Sequence, residues 1–354
     1  MRPAPASARP GFAPTRPILV TSFTYRAFAN WEPLFRRLRD RGHPVHTALF
    51  PRISDPDHAG LFDIDFPNVM TCPIDADFRT CERPEQAVLS DLVAWVATMR
   101  PDFVFMCSFH GGPESHIRAA LSRLPDRPVV IGLQHGMKHD WPMFEGQSDR
   151  FDLFGAFGRH FLTECSDRFR RKMVVMGLPK LDAIARKPDG APLRRVLFAG
   201  QNEPAPKELA RLFGALSQRL GAEIVVRAHP EHRDAFRPLL ALFSAQPPSV
   251  PLGEALAAAD AMITTGSTVA LEGLAAGLRV AVLPRQHGDV YQPAGIVAAG
   301  LKEDDLIAVF ERYDDPGFRA GIARFLEATT GAAERGRTEI ALAAIERLRG
   351  REVA

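Results

Sequence analysis

Cysteine is scarce in this chain. Cys72, Cys81, Cys107 and Cys165 are the only four, and no two of them form a CxxC pair. Such spacing supplies neither a zinc knot nor a disulfide framework. An excess of one charge is also missing: 44 Lys and Arg stand against 42 Asp and Glu, which argues against the strongly basic face of a nucleic-acid binder. No apolar run approaches the roughly 18 to 20 residues that a membrane-spanning helix needs. The opening residues, MRPAPASARPGFAPTRP, lack the apolar core of a secretory signal, and they read as a disordered tail over residues 1–16. These absences favour a cytoplasmic protein. Peripheral contact with the inner membrane face, through Arg2, Arg9 and Arg16, is a secondary expectation.

What is present is an ordinary globular composition, with 46% apolar and 24% charged residues. At 354 residues the chain is too long for one ordinary core and fits two. From Pro17 onward, strand-like and helix-like segments alternate. PILVTSF (17–23), PVHTALF (44–50), DFVFMCSF (102–109) and PVVIGLQ (128–134) read as buried strands. Between them lie the helical stretches 31–42, 84–100 and 113–124, with an irregular segment at 51–84. The rhythm restarts with the strands 194–201, 222–230, 261–266 and 279–284 and the helices 206–221, 252–260 and 267–277. Apolar runs separated by helices of this length indicate parallel sheets covered on both faces. The stretch VVMGLPKLDAIARKPDGAP (174–192) separates the two series. The expected organisation is an N-terminal α/β acceptor-side domain over 17–177, a C-terminal α/β nucleotide-binding domain over 178–335 and a terminal helix over 336–354. Both domains would be doubly wound, Rossmann-type units facing each other across a cleft.

In such sheets ligands sit outside the carboxyl ends of the strands. His135, His229 and the turn Thr265-Gly266-Ser267-Thr268 all fall there, as does His110-Gly111-Gly112. In TTGSTVALEGLAAG the chain passes from strand to helix through Gly266, with Ser267 and Thr268 placed to cap the helix and present its N–H groups to phosphate. Glu272, four residues after Thr268, lies on the same helix face and could accept ribose hydroxyls. The plainer alternative is an ordinary cap above an exposed Glu. Pro230 holds His229 extended at its strand end, and Arg227 shares its strand face. Together they could neutralise a diphosphate.

The segment VVIGLQHGMKHD (129–140) stops a buried strand on His135-Gly136 and then crowds Lys138, His139 and Asp140 together. His135 is the side chain of its turn whose ordinary pKa of about 6.5 suits general-base work. Gly136 would allow a substrate close to the backbone. Lys138 could touch phosphate or an anionic acceptor. His110 could line the acceptor pocket, although a structural turn built on Gly111 and Gly112 is the plainer reading, and His287 could close over the base or the transferred group. His135 and His139 have the spacing of a helical zinc pair, but no third ligand accompanies them, so no metal is expected.

Taken in order, His135-Gly136, GLPKLD (177–182), RAHP (227–230) and STVALE (267–272) resemble the motifs of the CDP-glycerol glycerophosphotransferases. Those run roughly His-Gly, Gly-x-Pro-Arg-x-Asp, Arg-x-His-Pro and Ser-Ser-Val-x-x-Asp. Such enzymes share the GT-B architecture with bacterial sialyltransferases, capsular Kdo transferases and the non-hydrolysing UDP-N-acetylglucosamine 2-epimerases. The resemblance spans residues 130 to 290. Met137 stands where Thr commonly follows His-Gly, Lys180 where Arg is usual and Glu272 where Asp is usual.

The resemblance implies a GT-B-like fold, with His135 as base and His229 and Arg227 as diphosphate ligands. Gly266, Ser267 and Thr268 would form the phosphate turn, and Glu272 would hold the ribose. The expected activity is metal-independent transfer of a sugar or polyol phosphate from a CMP-, CDP- or UDP-linked donor to a surface-saccharide or lipid-linked acceptor. That places the chain in capsule or envelope polysaccharide synthesis, with no cofactor beyond the activated donor. Two alternatives stand beside it. One is a 2-epimerase, which needs several carboxylates around the sugar and a basic entrance turn after the first strand, where TSFTYRAFANWE (21–32) offers Arg26 and Glu32 but no clear match. The other is a non-catalytic subunit that binds nucleotide-sugars.

Overall fold

The computed structural model describes residues 16–22, 25–49, 69–71, 90, 94, 96–107, 117–118, 121, 124, 127–137, 151–188, 190, 192–201, 206–247, 249–285, 288–332, 334 and 336–352. They form two parallel sheets. The first has seven strands: β1 (Ile18–Ser22), β2 (Val45–Leu49), β3 (Val69–Thr71), β4 (Phe103–Met106), β5 (Val129–Leu133), β6 (Leu153–Ala156) and β7 (Met173–Val175). Their spatial order is β3-β2-β1-β4-β5-β6-β7. Ile18 pairs with Val45 on one side and Phe103 on the other, so the winding reverses at β1. The second sheet has five strands: β8 (Arg195–Ala199), β9 (Glu223–Arg227), β10 (Ser244–Ala245), β11 (Ala261–Thr264) and β12 (Arg279–Val282). Their order is β10-β9-β8-β11-β12, and the winding reverses between β8 and β11.

The central strands are buried at every position because helices cover both faces. β1, β4 and β11 have no half-exposed residue, so their sequences run apolar without alternation. Helix α1 (Glu32–Asp40) shows how such a cover is encoded: Leu34, Phe35 and Leu38 form one buried stripe, and Pro33 occupies the first turn, where no N–H is missed. Helices α2 (Pro206–Leu220), α3 (Leu252–Ala258) and α4 (Val269–Ala275) belong to the second sheet.

Strands β3, β6, β7 and β10 were not expected from the sequence. β10 has two residues and β6 contains Gly155, so neither carries a periodic signal strong enough to read.

The C-terminal residues form α5 (Glu303–Glu311), α6 (Pro316–Thr330) and α7 (Arg337–Glu352). Helix α7 returns to the first sheet and packs on α1 and β7. Arg37 and Arg41 pair with Glu339 at 3.0 and 2.7 Å, and Arg41 also pairs with Glu346 at 2.6 Å. Exposed pairs of this kind add little. Burial of Ala341, Leu342, Ala344 and Ile345 is what holds the helix. Among the described residues no helix is long and apolar enough to cross a membrane.

Candidate active site

The His-Gly turn after β5 is fixed by the side chain of Gln134 and by the adjacent side chains of Asn30 and Trp31. Gln134 is fully buried, and its amide works in both directions: Oε1 accepts from the Phe157 N–H at 2.8 Å, and Nε2 donates to the Gly136 carbonyl at 2.9 Å. The Trp31 indole donates to the Gln134 carbonyl at 2.9 Å, and Asn30 Nδ2 donates to the His135 carbonyl at 3.1 Å. Backbone groups that leave a sheet ladder inside the protein need such partners. With them satisfied, the chain turns at His135 and Gly136, both half-buried, and reburies Met137. Lys138, His110 and His287 lie outside the described residues.

In the second sheet β11 runs into Thr265, whose buried Oγ1 has no hydrogen-bond partner among the described residues. Gly266, Ser267 and Thr268 follow, half-buried. The capping differs from the sequence expectation. Ser267 Oγ accepts from the Val269 N–H at 3.3 Å, while Thr268 has helical dihedrals and makes no capping bond. The Ala270 and Leu271 N–H groups donate to the Ser267 and Thr268 carbonyls, each at 3.0 Å. The Val269, Ala270 and Leu271 N–H groups at the start of α4 are thus used within the turn. Beneath the turn, the buried Tyr291 phenol donates to the Ser267 carbonyl at 2.6 Å. Burial, reinforced by the charge of Glu272, pushes its pKa upward, so it remains a donor.

Glu272, only 6% exposed, accepts from Lys180 Nζ at 2.9 Å through Oε1. Arg227 feels the same carboxylate: burial lowers its pKa, and Glu272 pulls it back up. The guanidinium itself donates to the Val250 carbonyl at 2.8 Å and reaches the Pro247 carbonyl at 3.5 Å, so it is anchored to the loop before α3. His229 stands half-buried two residues beyond the end of β9.

The two turns meet. A Cβ added to Gly136 would lie 3.8 Å from Thr268 Oγ1, which brings the strand ends of the first sheet against those of the second. A second link runs through Asn30, whose carbonyl accepts the Lys180 N–H at 3.1 Å while its amide holds His135. His135, Gly136, Thr268, Glu272 and Lys180 therefore share one locality.

A separate concavity of about 530 Å³ is lined by Gln292, Arg312, Asp315 and Phe318 among others. Arg312, the one cation among the described lining residues, is bonded to the Gly295 carbonyl and stacked on Phe318.

The family described as "Putative glycosyltransferase (DUF6716)" matches residues 76–287, more than half of the chain, and the match contains both turns. The chain belongs to this glycosyltransferase family. No curated protein matches it by sequence. Its fold is GT-B-like, as comparison with solved structures shows. The Staphylococcus aureus MnaA–UDP co-structure superposes with a TM-score of 0.64 at 14% identity, covering 95% of this chain and 97% of that one. UDP-GlcNAc 2-epimerase from Neisseria meningitidis bound to UDP-GlcNAc gives 0.60 at 13% identity, with 94% and 100% coverage. Spinosyn rhamnosyltransferase SpnG gives 0.59 at 19% identity, with the same coverage.

For this DUF6716 member, sequence reasoning noted Lys180 only as a departure from a motif and missed Asn30, Trp31 and Gln134 altogether. Asn30 and Trp31 reach partners more than 100 residues away, which no local pattern announces. Gln134 could have been suspected as an amide directly after an apolar strand. Among the described residues no group of three His, Cys, Asp or Glu side chains could hold a metal ion.

Proposed function

We propose that this glycosyltransferase moves a sugar from a nucleoside diphosphate or monophosphate donor to a saccharide or lipid-linked acceptor, with His135 as general base. The observation that carries this reading is the apposition of Gly136 and Thr268, which brings the His-Gly turn of one half beside the hydroxyl turn of the other. In the reaction, His135 takes the proton of an acceptor hydroxyl as its oxygen bonds to the anomeric carbon. The bond from that carbon to the phosphate oxygen breaks, and its electron pair leaves with the nucleotide. Ser267, Thr268, His229 and Arg227 stabilise the charge that grows on the departing phosphate. Glu272 receives the ribose through the oxygen that Lys180 does not occupy.

Two proteins of the same fold have been solved with UDP or UDP-GlcNAc bound, which supports a uridine donor beside the cytidine donors suggested by the motifs. A polyol phosphate fits the same leaving-group chemistry.

Release of UDP, CDP or CMP from a panel of activated sugars, with and without acceptor saccharides, tests the proposal. Wild-type protein should release one nucleotide in an acceptor-dependent manner. His135→Ala should lose roughly 10²- to 10⁴-fold in turnover while still binding that nucleotide. Undiminished turnover in His135→Ala would remove the base assignment. Conversion of UDP-GlcNAc to its 2-epimer without acceptor would replace transfer by epimerisation.

A further inference from the structure

The segment that carries Lys180 is tied down on every side. Pro179 and Leu181 are buried. The Leu178 N–H donates to the Thr330 carbonyl at 2.9 Å, and the Lys180 N–H to the Asn30 carbonyl at 3.1 Å. Asp182 accepts from the N–H groups of Arg337 and Thr338 at 3.0 and 2.7 Å, so its carboxylate caps α7. Lys180 therefore extends from a short, rigid base that belongs with the first sheet and the C-terminal helices. Its ammonium reaches across to Glu272 on α4 of the second sheet.

At the other end of the pair, Glu272 sits between the buried residues Leu271 and Gly273. Its Oε1 is held by Lys180, and among the described residues Oε2 accepts no hydrogen bond. A carboxylate with one oxygen fixed and one open has a defined orientation. Its open oxygen is ready to accept from a hydroxyl group.

We infer that Lys180 is a positioning residue for ribose recognition: it orients Glu272 so that Oε2 accepts a ribose hydroxyl of the nucleotide. The inference rests on the reading of the cleft as a nucleotide site and adds the residue that sets its selectivity for ribose over a deoxygenated sugar. It also ties that selectivity to the arrangement of the two sheets, because Lys180 and Glu272 belong to opposite halves.

Calorimetric titration of wild type, Lys180→Met, Lys180→Gln and Lys180→Arg with UDP, CDP and their 2′,3′-dideoxy counterparts separates this role from a structural one. Wild type should bind one ribonucleotide roughly 10- to 100-fold more tightly than its dideoxy form, the range for hydrogen bonds to a charged group. Lys180→Met should lose most of that preference by weakening the ribonucleotide alone, and Lys180→Arg should restore it. Lys180→Gln, which keeps a neutral donor on a side chain one atom shorter, covers the case in which the Met variant does not fold, and should lose part of the preference. Equal weakening of both forms in each folded variant would assign Lys180 to phosphate contact or to scaffold. Unchanged ribonucleotide affinity would remove it from recognition. Either result overturns the inference while leaving the nucleotide site in place. Failure of wild type to bind either diphosphate would overturn the nucleotide reading first and the inference with it.

Discussion

Lys180 Nζ lies 2.9 Å from Glu272 Oε1, across 92 residues of sequence and from one half of the molecule to the other. Glu272 keeps 7% of its side chain in solvent, against 31% for Lys180. The desolvation cost therefore falls mostly on the carboxylate, and removing its partner is the damaging change. Lys180→Met should destabilise the protein by roughly 1 to 3 kcal/mol. The double variant Lys180→Met/Glu272→Met should recover part of that loss, because no charge is left buried alone. Urea midpoints of the single and double variants check this. Full additivity of the two single effects would show that the pair is not coupled.

Gln134 is fully buried and satisfies two backbone groups, the Phe157 N–H and the Gly136 carbonyl. Gln134→Leu keeps the volume and removes both bonds. The expected cost is about 2 to 4 kcal/mol, one unmet buried group at each end. A larger proportional fall in turnover than in folded protein would follow from the displaced His135. A variant as stable as wild type would mean that water replaces the amide.

Gly136→Ala has room, since the new methyl would meet Thr268 Oγ1 at ordinary contact distance. Stability should stay within about 0.5 kcal/mol of wild type, as for most substitutions that create neither a clash nor an unmet group. Gly136→Leu should bring bulk against Thr268 and weaken nucleotide binding or turnover while the far-ultraviolet dichroism stays unchanged. If Gly136→Leu works like wild type, the two turns do not bound the reacting space.

Asp260 gives a pH signature. Burial pushes its pKa up, but the N–H groups of Arg194 and Arg195 and the Lys187 ammonium outweigh burial, and the net shift is downward. A carboxyl with a lowered folded-state pKa is protonated first in the unfolded chain, so stability rises with pH across that window. The contribution is complete above the ordinary carboxylate value of 3.8. It is lost as pH falls through the lower, folded-state value. Asp260→Asn should flatten that part of the stability curve, as measured by urea unfolding below pH 5. An unaltered curve would place the acid sensitivity elsewhere.

These expectations show which features a sequence carries openly. The burial of β1, β4 and β11 was legible because a parallel strand covered on both faces needs an uninterrupted apolar run. The turns at His135 and Ser267 were legible because each breaks such a run. The capping was read partly wrong, since Ser267 and Thr268 can each cap and only the backbone dihedrals decide between them. The short strands β3 and β10 were missed because two or three residues have no period. The long-range links through Asn30, Trp31 and Lys180 depend on how two sheets come together, which local pattern does not encode.

The central claim is that the locality of His135, Thr268 and Glu272 binds an activated donor through its nucleotide. Thermal unfolding of the wild type with CMP, CDP, UDP and GDP, with and without magnesium, and of Glu272→Ala in parallel, tests it most directly. A nucleotide at 100 times its dissociation constant adds roughly 2.7 kcal/mol of stability. The account predicts that a cytidine or uridine nucleotide raises the unfolding temperature by several degrees, and that Glu272→Ala abolishes the rise. No shift with any of the four nucleotides, or an undiminished shift in Glu272→Ala, would contradict it.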